Sequence, residues 1–312
     1  MLIYDNNTLK NEEKNNYIAL GSFDGLHLGH LSLIEKVKGL AKENNGKAIV
    51  FTFKNHPRIF LNPNCHIQLI MSNDEKIKVL EEKDIDILAF KDFDDEIMKM
   101  MPEEFVKWLC DYYKVKGIVV GFNFKFGYKN LGNVELLEKL QEKYNYKLYV
   151  MEPCMINDEV ISSTLIRNEL LQGNVNKVFN MLSRPFMLCG KVVDGKKLGR
   201  TIGFPTANLE VKGKKLIPKK GVYYTNVEVN GKIFKGITSI GNNPTVNGID
   251  LTIETYILDF NNDIYDKEIN VYFIDRIRDE VKFNNIEELI TQLKKDKKYA
   301  EERNIAICQN NL

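Results

Sequence analysis

The hydrophobic pattern of this chain changes type partway along, and that change restricts the folds open to it more than any other feature. Up to about residue 151, short apolar runs rich in β-formers alternate with helical stretches. The runs 17–20, 48–53, 85–90, 117–120 and 146–151 read as strands. Helices are expected at 31–43, from the capping box Ser72-Asn73-Asp74-Glu75 to about 82, from Pro102 to about 112, and at 133–144. Such alternation predicts a doubly wound parallel sheet covered on both faces, with ligands at the carboxyl ends of its strands. From Phe186 onward, β-rich runs follow one another directly. Residues 222–229 and 232–239 flank Asn230-Gly231, the favoured two-residue hairpin turn. Strands are expected at 251–258 and 269–277. Only 286–298 has helical spacing, with Ile286, Leu289, Ile290 and Leu293 on one face. The second half therefore predicts a closed or nearly closed antiparallel β-barrel with a terminal helix. The fold class is α/β plus all-β. The boundary falls near Ser183-Arg184-Pro185, giving domains 1–183 and 184–312, each long enough for its own core.

A formal net charge of +1 supplies no bulk attraction to nucleic acid or to an anionic membrane, so neither is an expected partner. No apolar run approaches the ~20 residues that span a bilayer, and the first residues lack a charged-then-apolar signal layout. The five cysteines (Cys65, Cys110, Cys154, Cys189, Cys308) lie far apart, in neither Cys-x-x-Cys nor zinc spacing. They read as reduced thiols in a cytoplasmic protein. The oligomeric state is not encoded legibly.

Two of the four histidines fall in one run, Gly21-Ser22-Phe23-Asp24-Gly25-Leu26-His27-Leu28-Gly29-His30, between a strand and a helix. A helix start offers unpaired N–H groups and a partial positive charge, glycines admit a phosphate close to the backbone, and imidazoles donate to developing charge. Three more runs lie where such a sheet presents ligand contacts. They are Thr52-Phe53-Lys54-Asn55-His56-Pro57, Gly121-Phe122-Asn123-Phe124-Lys125-Phe126-Gly127, and Ile161-Ser162-Ser163-Thr164-Leu165-Ile166-Arg167. Ser162, Ser163 and Thr164 can cap a helix while donating to phosphate, and Arg167 adds a fixed charge. Taken singly, each run also reads as a helix cap or a plain loop. Taken together, they describe an anion site.

The barrel half carries the run 190–208, which is rich in glycine and cations but lacks a Walker spacing. Its glycines can expose N–H groups to a polyphosphate. Thr206 and Asn208 alternate along a strand, so a hydroxyl and an amide oxygen share one face, a donor pair suited to Mg²⁺ beside phosphates. A glycine-rich turn with no ligand is the alternative.

The run 21–30 resembles the G-x-F-D-G-x-H-x-G-H signature of the adenylyltransferases in the bacterial bifunctional riboflavin kinase/FAD synthetase family. The three further runs of the first half resemble that family's motifs in the same order. The resemblance implies a nucleotidyltransferase module that joins FMN to the adenylyl part of ATP and releases pyrophosphate. Gly21, Phe23, Asp24, Gly25, His27, His30, Ser162, Ser163, Thr164 and Arg167 would then bind ATP, with His27 and His30 serving the reaction. His56, Pro57 and Asn123 would lie toward the flavin. In the second half the resemblance extends to the riboflavin kinase motif, with Gly190, Gly195, Gly199, Arg200, Gly203, Pro205, Thr206 and Asn208 binding ATP and Thr206 and Asn208 holding Mg²⁺. The runs 218–223, 240–245, 253–255 and 278–283 also match in order. The implied reaction moves the γ-phosphoryl of ATP onto riboflavin, with Glu254 as base and Arg278 near the flavin. Riboflavin, FMN and FAD are substrates or products here, not resident cofactors.

The chain departs from the pattern at three places. Leu165 stands where the family usually has arginine, Asn55 where it often has proline, and Asp266 where a turn glycine is usual. Losing a charge-assisted phosphate contact at 165 would typically cost about 1.5–3 kcal/mol unless Lys125 or Lys129 substitutes. A kinase with weak or silent adenylyl transfer is therefore the alternative enzyme reading. A flavin-binding regulator without turnover is the alternative from another class.

Overall fold

The computed structural model describes residues 1–5, 15–62, 64, 67–195, 198–245 and 248–307, and it divides into two compact units, Met1–Ser163 and Thr164–Leu312. In chain order the first unit contains β1 (Leu2–Asp5), β2 (Asn16–Leu20), α1 (Leu28–Glu43), β3 (Ala48–Phe53), α2 (Pro57–Leu61), α3 (Asn73–Glu82) and β4 (Ile87–Lys91). It continues with α4 (Asp95–Lys99), α5 (Pro102–Tyr113), β5 (Val115–Gly121), α6 (Val134–Tyr144), β6 (Lys147–Met151) and a short hairpin of β7 (Met155–Ile156) and β8 (Glu159–Val160). The helix α7 (Ser163–Gln172) begins at the division.

Six strands form a parallel sheet in the order β1-β4-β3-β2-β5-β6. Its central strands are buried because they alternate between two cores. Ala19, Val50, Leu88 and Val119 face one with α1 residues Ile34 and Val37. Ile18, Ile49, Ile87 and Ile118 face the other with Val106 and Leu109 of α5 and Leu137 of α6. From β2 the chain runs outward through β3 to β4, then returns to β5 on the other side of β2. The order thus reverses beside β2, which makes its carboxyl end the switch point where such sheets bind ligands. The capping box is formed as expected. Ser72 Oγ accepts from Glu75 N at 3.1 Å, and Glu75 Oε2 accepts from Ser72 N at 3.1 Å.

The second unit holds α8 (Val175–Leu182), β9 (Phe186–Val193), α9 (Leu198–Thr201), β10 (Thr206–Glu210), β11 (Gly221–Val229), β12 (Lys232–Thr245), β13 (Gly248–Ile257), β14 (Glu268–Arg278) and α10 (Ile286–Glu301). The strands close into an antiparallel barrel, β10-β13-β12-β11-β14-β9. Asn230 and Gly231 turn with φ of 51° and 75°, as the two-residue hairpin requires. Asp266 takes φ 62°, a turn conformation aspartate tolerates in place of glycine. The compact units part about 20 residues before the Ser183-Arg184-Pro185 segment, because α8 packs on β9 and β14 of the barrel. Thr225, Thr238 and Thr255 are fully buried and satisfy one another across three strands, at 3.0 and 2.9 Å.

The terminal helix is tied to the barrel by charge. Asp296, 1% exposed, accepts from Arg278 Nε at 3.1 Å and from Nη2 at 2.7 Å, and from Gln292 Nε2 at 2.8 Å. Replacing Asp296 with alanine strands a largely buried guanidinium. The expected loss is about 3 kcal/mol of second-unit stability, read as a lower denaturant midpoint by far-ultraviolet circular dichroism.

Among the described residues, Cys110, Cys154 and Cys189 form no disulfide. Burial pushes the Cys110 thiol up to about 11, so it stays protonated and inert near neutral pH. Cys65 and Cys308 lie outside the described residues. No described helix is long and apolar enough to cross a membrane.

Candidate active sites

The turn between β2 and α1 is built under strain. Phe23 and Leu26 are both buried, yet take φ of 47° and 42°, a region bulky residues rarely enter. Gly25, between them, takes φ 86° without that penalty. The turn is held at several points. The Asp24 carboxylate accepts from the backbone N–H groups of Ile70 and Met71 at 3.0 and 3.1 Å. The Asp24 carbonyl accepts from Ser163 Oγ at 2.9 Å. The Ser22 carbonyl accepts from Thr52 Oγ1 at 3.0 Å and Lys76 Nζ at 3.2 Å.

Out of this turn comes α1. His27 is its N-cap, but its side chain makes no capping bond, and no acidic residue occupies the first turn. That leaves the positive end of the helix dipole facing the turn, where an anion is favoured. The His27 and His30 rings stack with centroids 3.7 Å apart, and Phe23 lies 5.2 Å from His30. Thus Phe23 props the imidazole pair, while Asp24 shapes the turn through backbone bonds. Gly21 ends the strand side of the run, just after β2.

Beside the turn is a small cleft, with room of about 20 Å³, lined by Ser22, Lys54, His56, Pro57, Asn73 and Lys76, among others. His56 caps α2, its Nδ1 accepting from Arg58 N at 3.2 Å, and Pro57 opens that helix. Asn55, the residue that replaces proline, bridges to Phe93 in both directions at 2.9 and 2.7 Å, so it stabilises its loop. Asn123 is exposed in the loop after β5. Ser162 precedes α7, and Ser163, Thr164, Leu165 and Arg167 occupy its first turns.

Lys76 has no counterpart in the motif reading. It is 4% exposed. Its ammonium reaches the Ser22 carbonyl and, at 3.5 Å, Thr52 Oγ1, with the Phe90 ring 5.8 Å away. Burial lowers its pKa to about 8, against the opposing pull of Asp24.

In the barrel, β10 lies between β9 and β13. Ala207 and Leu209 are buried, so Thr206 and Asn208 project to the other side. Asn208 stands opposite Glu254 in the β10–β13 register, and Thr206 Oγ1 donates to Glu254 Oε2 at 3.2 Å. Hydroxyl, amide and carboxylate are therefore gathered on one patch. A Cβ at Gly195 would meet the Asn208 amide, so a larger residue there would displace that side chain. Gly199 and Arg200 lie on α9, followed by Gly203 and Pro205 in the turn into β10. Gly190 is buried within β9, where it allows close packing against Leu209. The guanidinium of Arg278 is engaged by Asp296 and by the Asp279 carbonyl. The structure thus gives Arg278 a docking role toward the terminal helix. The side chains of Asn243, Pro244 and Thr245, in a matching run, lie outside what is described.

A parallel sheet with a phosphate-type turn at its switch point, and a barrel carrying a carboxylate–hydroxyl–amide patch, define a two-module enzyme of phosphate chemistry. The FAD synthetase family model matches residues 9–165 and the riboflavin kinase model matches 182–304. The chain is 34% identical over 282 residues to the bifunctional riboflavin kinase/FMN adenylyltransferase of Haemophilus influenzae, covering 89% of this chain and 91% of that protein. To the Bacillus subtilis protein of the same description it is 33% identical, covering 96% of each. A crystal structure described as a macrolide-efflux protein from Streptococcus pneumoniae superposes with a TM-score of 0.88 at 31% identity, over 97% of this chain and all of that one. The chain belongs to the bifunctional riboflavin kinase/FMN adenylyltransferase family.

Proposed function

We propose that the chain phosphorylates riboflavin with ATP to FMN in its second module, and adenylylates FMN with ATP to FAD in its first, releasing pyrophosphate. The Thr206–Asn208–Glu254 patch carries the kinase reading. Riboflavin attacks through a ribityl hydroxyl, and an alcohol must lose its proton as it attacks phosphorus. Glu254 accepts that proton, ADP leaves, and the γ-phosphoryl ends on the 5′ oxygen. The Thr206 hydroxyl holds the carboxylate in place. Hydroxyl, amide and carboxylate oxygens form a hard donor set that fits Mg²⁺, which Thr206 and Asn208 would hold against the phosphates. When bound, the ion offsets phosphate charge.

In the first module the attacking FMN phosphate is already anionic, so positioning and charge stabilisation do the work. Its oxygen bonds to the α-phosphorus of ATP, and the bond to pyrophosphate breaks. His27 and His30 donate to the ATP phosphates at the α1 N-terminus, where the helix dipole adds to their effect. Ser162, Ser163, Thr164 and Arg167 bind ATP, while His56, Pro57 and Asn123 lie toward the flavin. Arg278 serves the flavin side of the kinase. The functional division falls at 183/184, and the enzyme works in the cytoplasm with small-molecule substrates.

Purified protein given riboflavin, ATP and Mg²⁺ should yield both FMN and FAD by chromatography. FMN alone would favour the kinase-only reading that Leu165 motivates. Leu165→Arg is expected to raise kcat/KM for ATP in FAD formation about tenfold, by adding one charge-assisted phosphate contact. An unchanged rate would show that position 165 does not limit the reaction.

A further inference from the structure

We propose that Lys76 is a positioning residue for adenylyl transfer, acting through the Ser22 carbonyl to hold the strained 22–26 turn that sets the His27–His30 pair. The inference rests on the adenylyltransferase reading of the first module and adds a residue to it. The chain of contacts is continuous. Lys76 Nζ and Thr52 Oγ1 converge on one carbonyl, that of Ser22. The next residue, Phe23, takes φ 47°, and its ring lies against His30, which stacks on His27. Two donors fix the peptide plane that launches the unfavourable conformation. Without them the backbone can relax, Phe23 can swing away, and the imidazoles lose their prop.

Stability alone does not explain a lysine at this place. Lys76 sits on the core-facing side of α3, four residues before the fully buried Leu80, where an apolar side chain would fit the helix pattern. Among the described residues it makes no ion pair within 4 Å, so its charge is held in the interior by two oxygens, an aromatic face and the longer-range attraction of Asp24. A buried charge kept without a salt bridge costs stability, so its presence here points to a task. The depressed pKa is the sign of that tension. Lys76 also lines the cleft that carries His56 and Pro57, on the side from which the flavin would approach.

The test compares wild type with Lys76→Met and Lys76→Arg in the full-length protein. Three readouts are taken on each preparation. These are FAD formation from FMN and ATP, FMN formation from riboflavin and ATP, and thermal unfolding followed by Trp108. That residue is the chain's only tryptophan and lies in the first unit, so it reports the correct fold. For Lys76→Met, kcat for FAD formation is expected to fall about tenfold to a hundredfold with little change in KM for ATP. The Trp108 midpoint should stay level or rise, because a buried charge has been removed, and FMN formation should not change. Lys76→Arg, which keeps charge and donors, should restore kcat to within about threefold. A methionine variant that folds and keeps wild-type kcat overturns the proposal. So does one whose Trp108 midpoint collapses together with activity, since Lys76 would then be a structural residue. Wild-type protein that makes no FAD would instead refute the adenylyltransferase reading, and this shows before any variant is compared.

Discussion

Glu254→Gln should reduce FMN formation from riboflavin and ATP by about 10²–10⁴-fold, the usual contribution of a positioned general base. FAD formation from supplied FMN should continue at the wild-type rate. The substitution is chosen because it changes little else. Glutamine has the shape of glutamate, and its amide oxygen can still accept from Thr206 Oγ1, as Glu254 Oε2 does at 3.2 Å. The β10–β13 register that sets Asn208 opposite position 254 is a backbone property and survives the change. What is lost is the ability to take a proton from the attacking hydroxyl, together with one negative charge near the Thr206 and Asn208 oxygens proposed to hold the metal. The two can be separated. If proton abstraction dominates, kcat falls while the Mg²⁺ concentration for half-maximal rate is nearly unchanged. If the charge mainly holds the metal, high Mg²⁺ rescues the rate. A variant retaining more than a tenth of wild-type phosphorylation at saturating Mg²⁺ would remove Glu254 as the base.

Both folds could be read from the sequence because periodicity is a strong signal when elements are long and two-faced. The run 48–53 and the hairpin around Asn230-Gly231 are such cases, and both form as read. Elements with weak periodicity escaped. The edge strand β1 covers only Leu2–Asp5 and is mostly exposed, so it lacks the buried alternation that marks a strand. The helices α2 and α4 span five residues each, too short for a helical pattern to repeat. The α8 helix shows why the compact units part before the Ser183-Arg184-Pro185 segment. Its buried residues Val178, Met181 and Leu182 mark an apolar face, but nothing in the sequence says that this helix packs on the barrel strands β9 and β14. The sites divide in the same way. Candidate residues close together in sequence, such as His27 and His30 or Thr206 and Asn208, can be picked out by their spacing. Lys76 meets a carbonyl 54 positions away, a relation no local pattern encodes. Its one available signal was a lysine interrupting the apolar face of α3, four residues before Leu80.

Substitutions at His30 should produce the converse of the Glu254 result. His30→Ala is expected to lower FAD formation from FMN and ATP by about 10²–10³-fold, the effect of removing one preorganised donor from a site that stabilises developing charge. FMN formation from riboflavin should not change. His30 suits the test better than His27, because His27 is the N-cap of α1 and is only 7% exposed, so its loss would also disturb the helix start. His30 lies in the first turn of α1, half-buried between the His27 ring and Phe23. Alanine is a good helix former and leaves the backbone N–H array intact. The helix dipole therefore remains, and ATP should still bind, with KM rising far less than kcat falls. His30→Gln refines the reading by returning a donor without the ring. Partial recovery of kcat would assign the effect to hydrogen bonding at the phosphates. If glutamine were as poor as alanine, the stacked ring would be the larger part of the role, with His30 orienting His27 more than contacting substrate. If alanine itself kept wild-type adenylyl transfer, the imidazole pair would not be the phosphate-binding element, and the helix N-terminus would have to carry that charge alone.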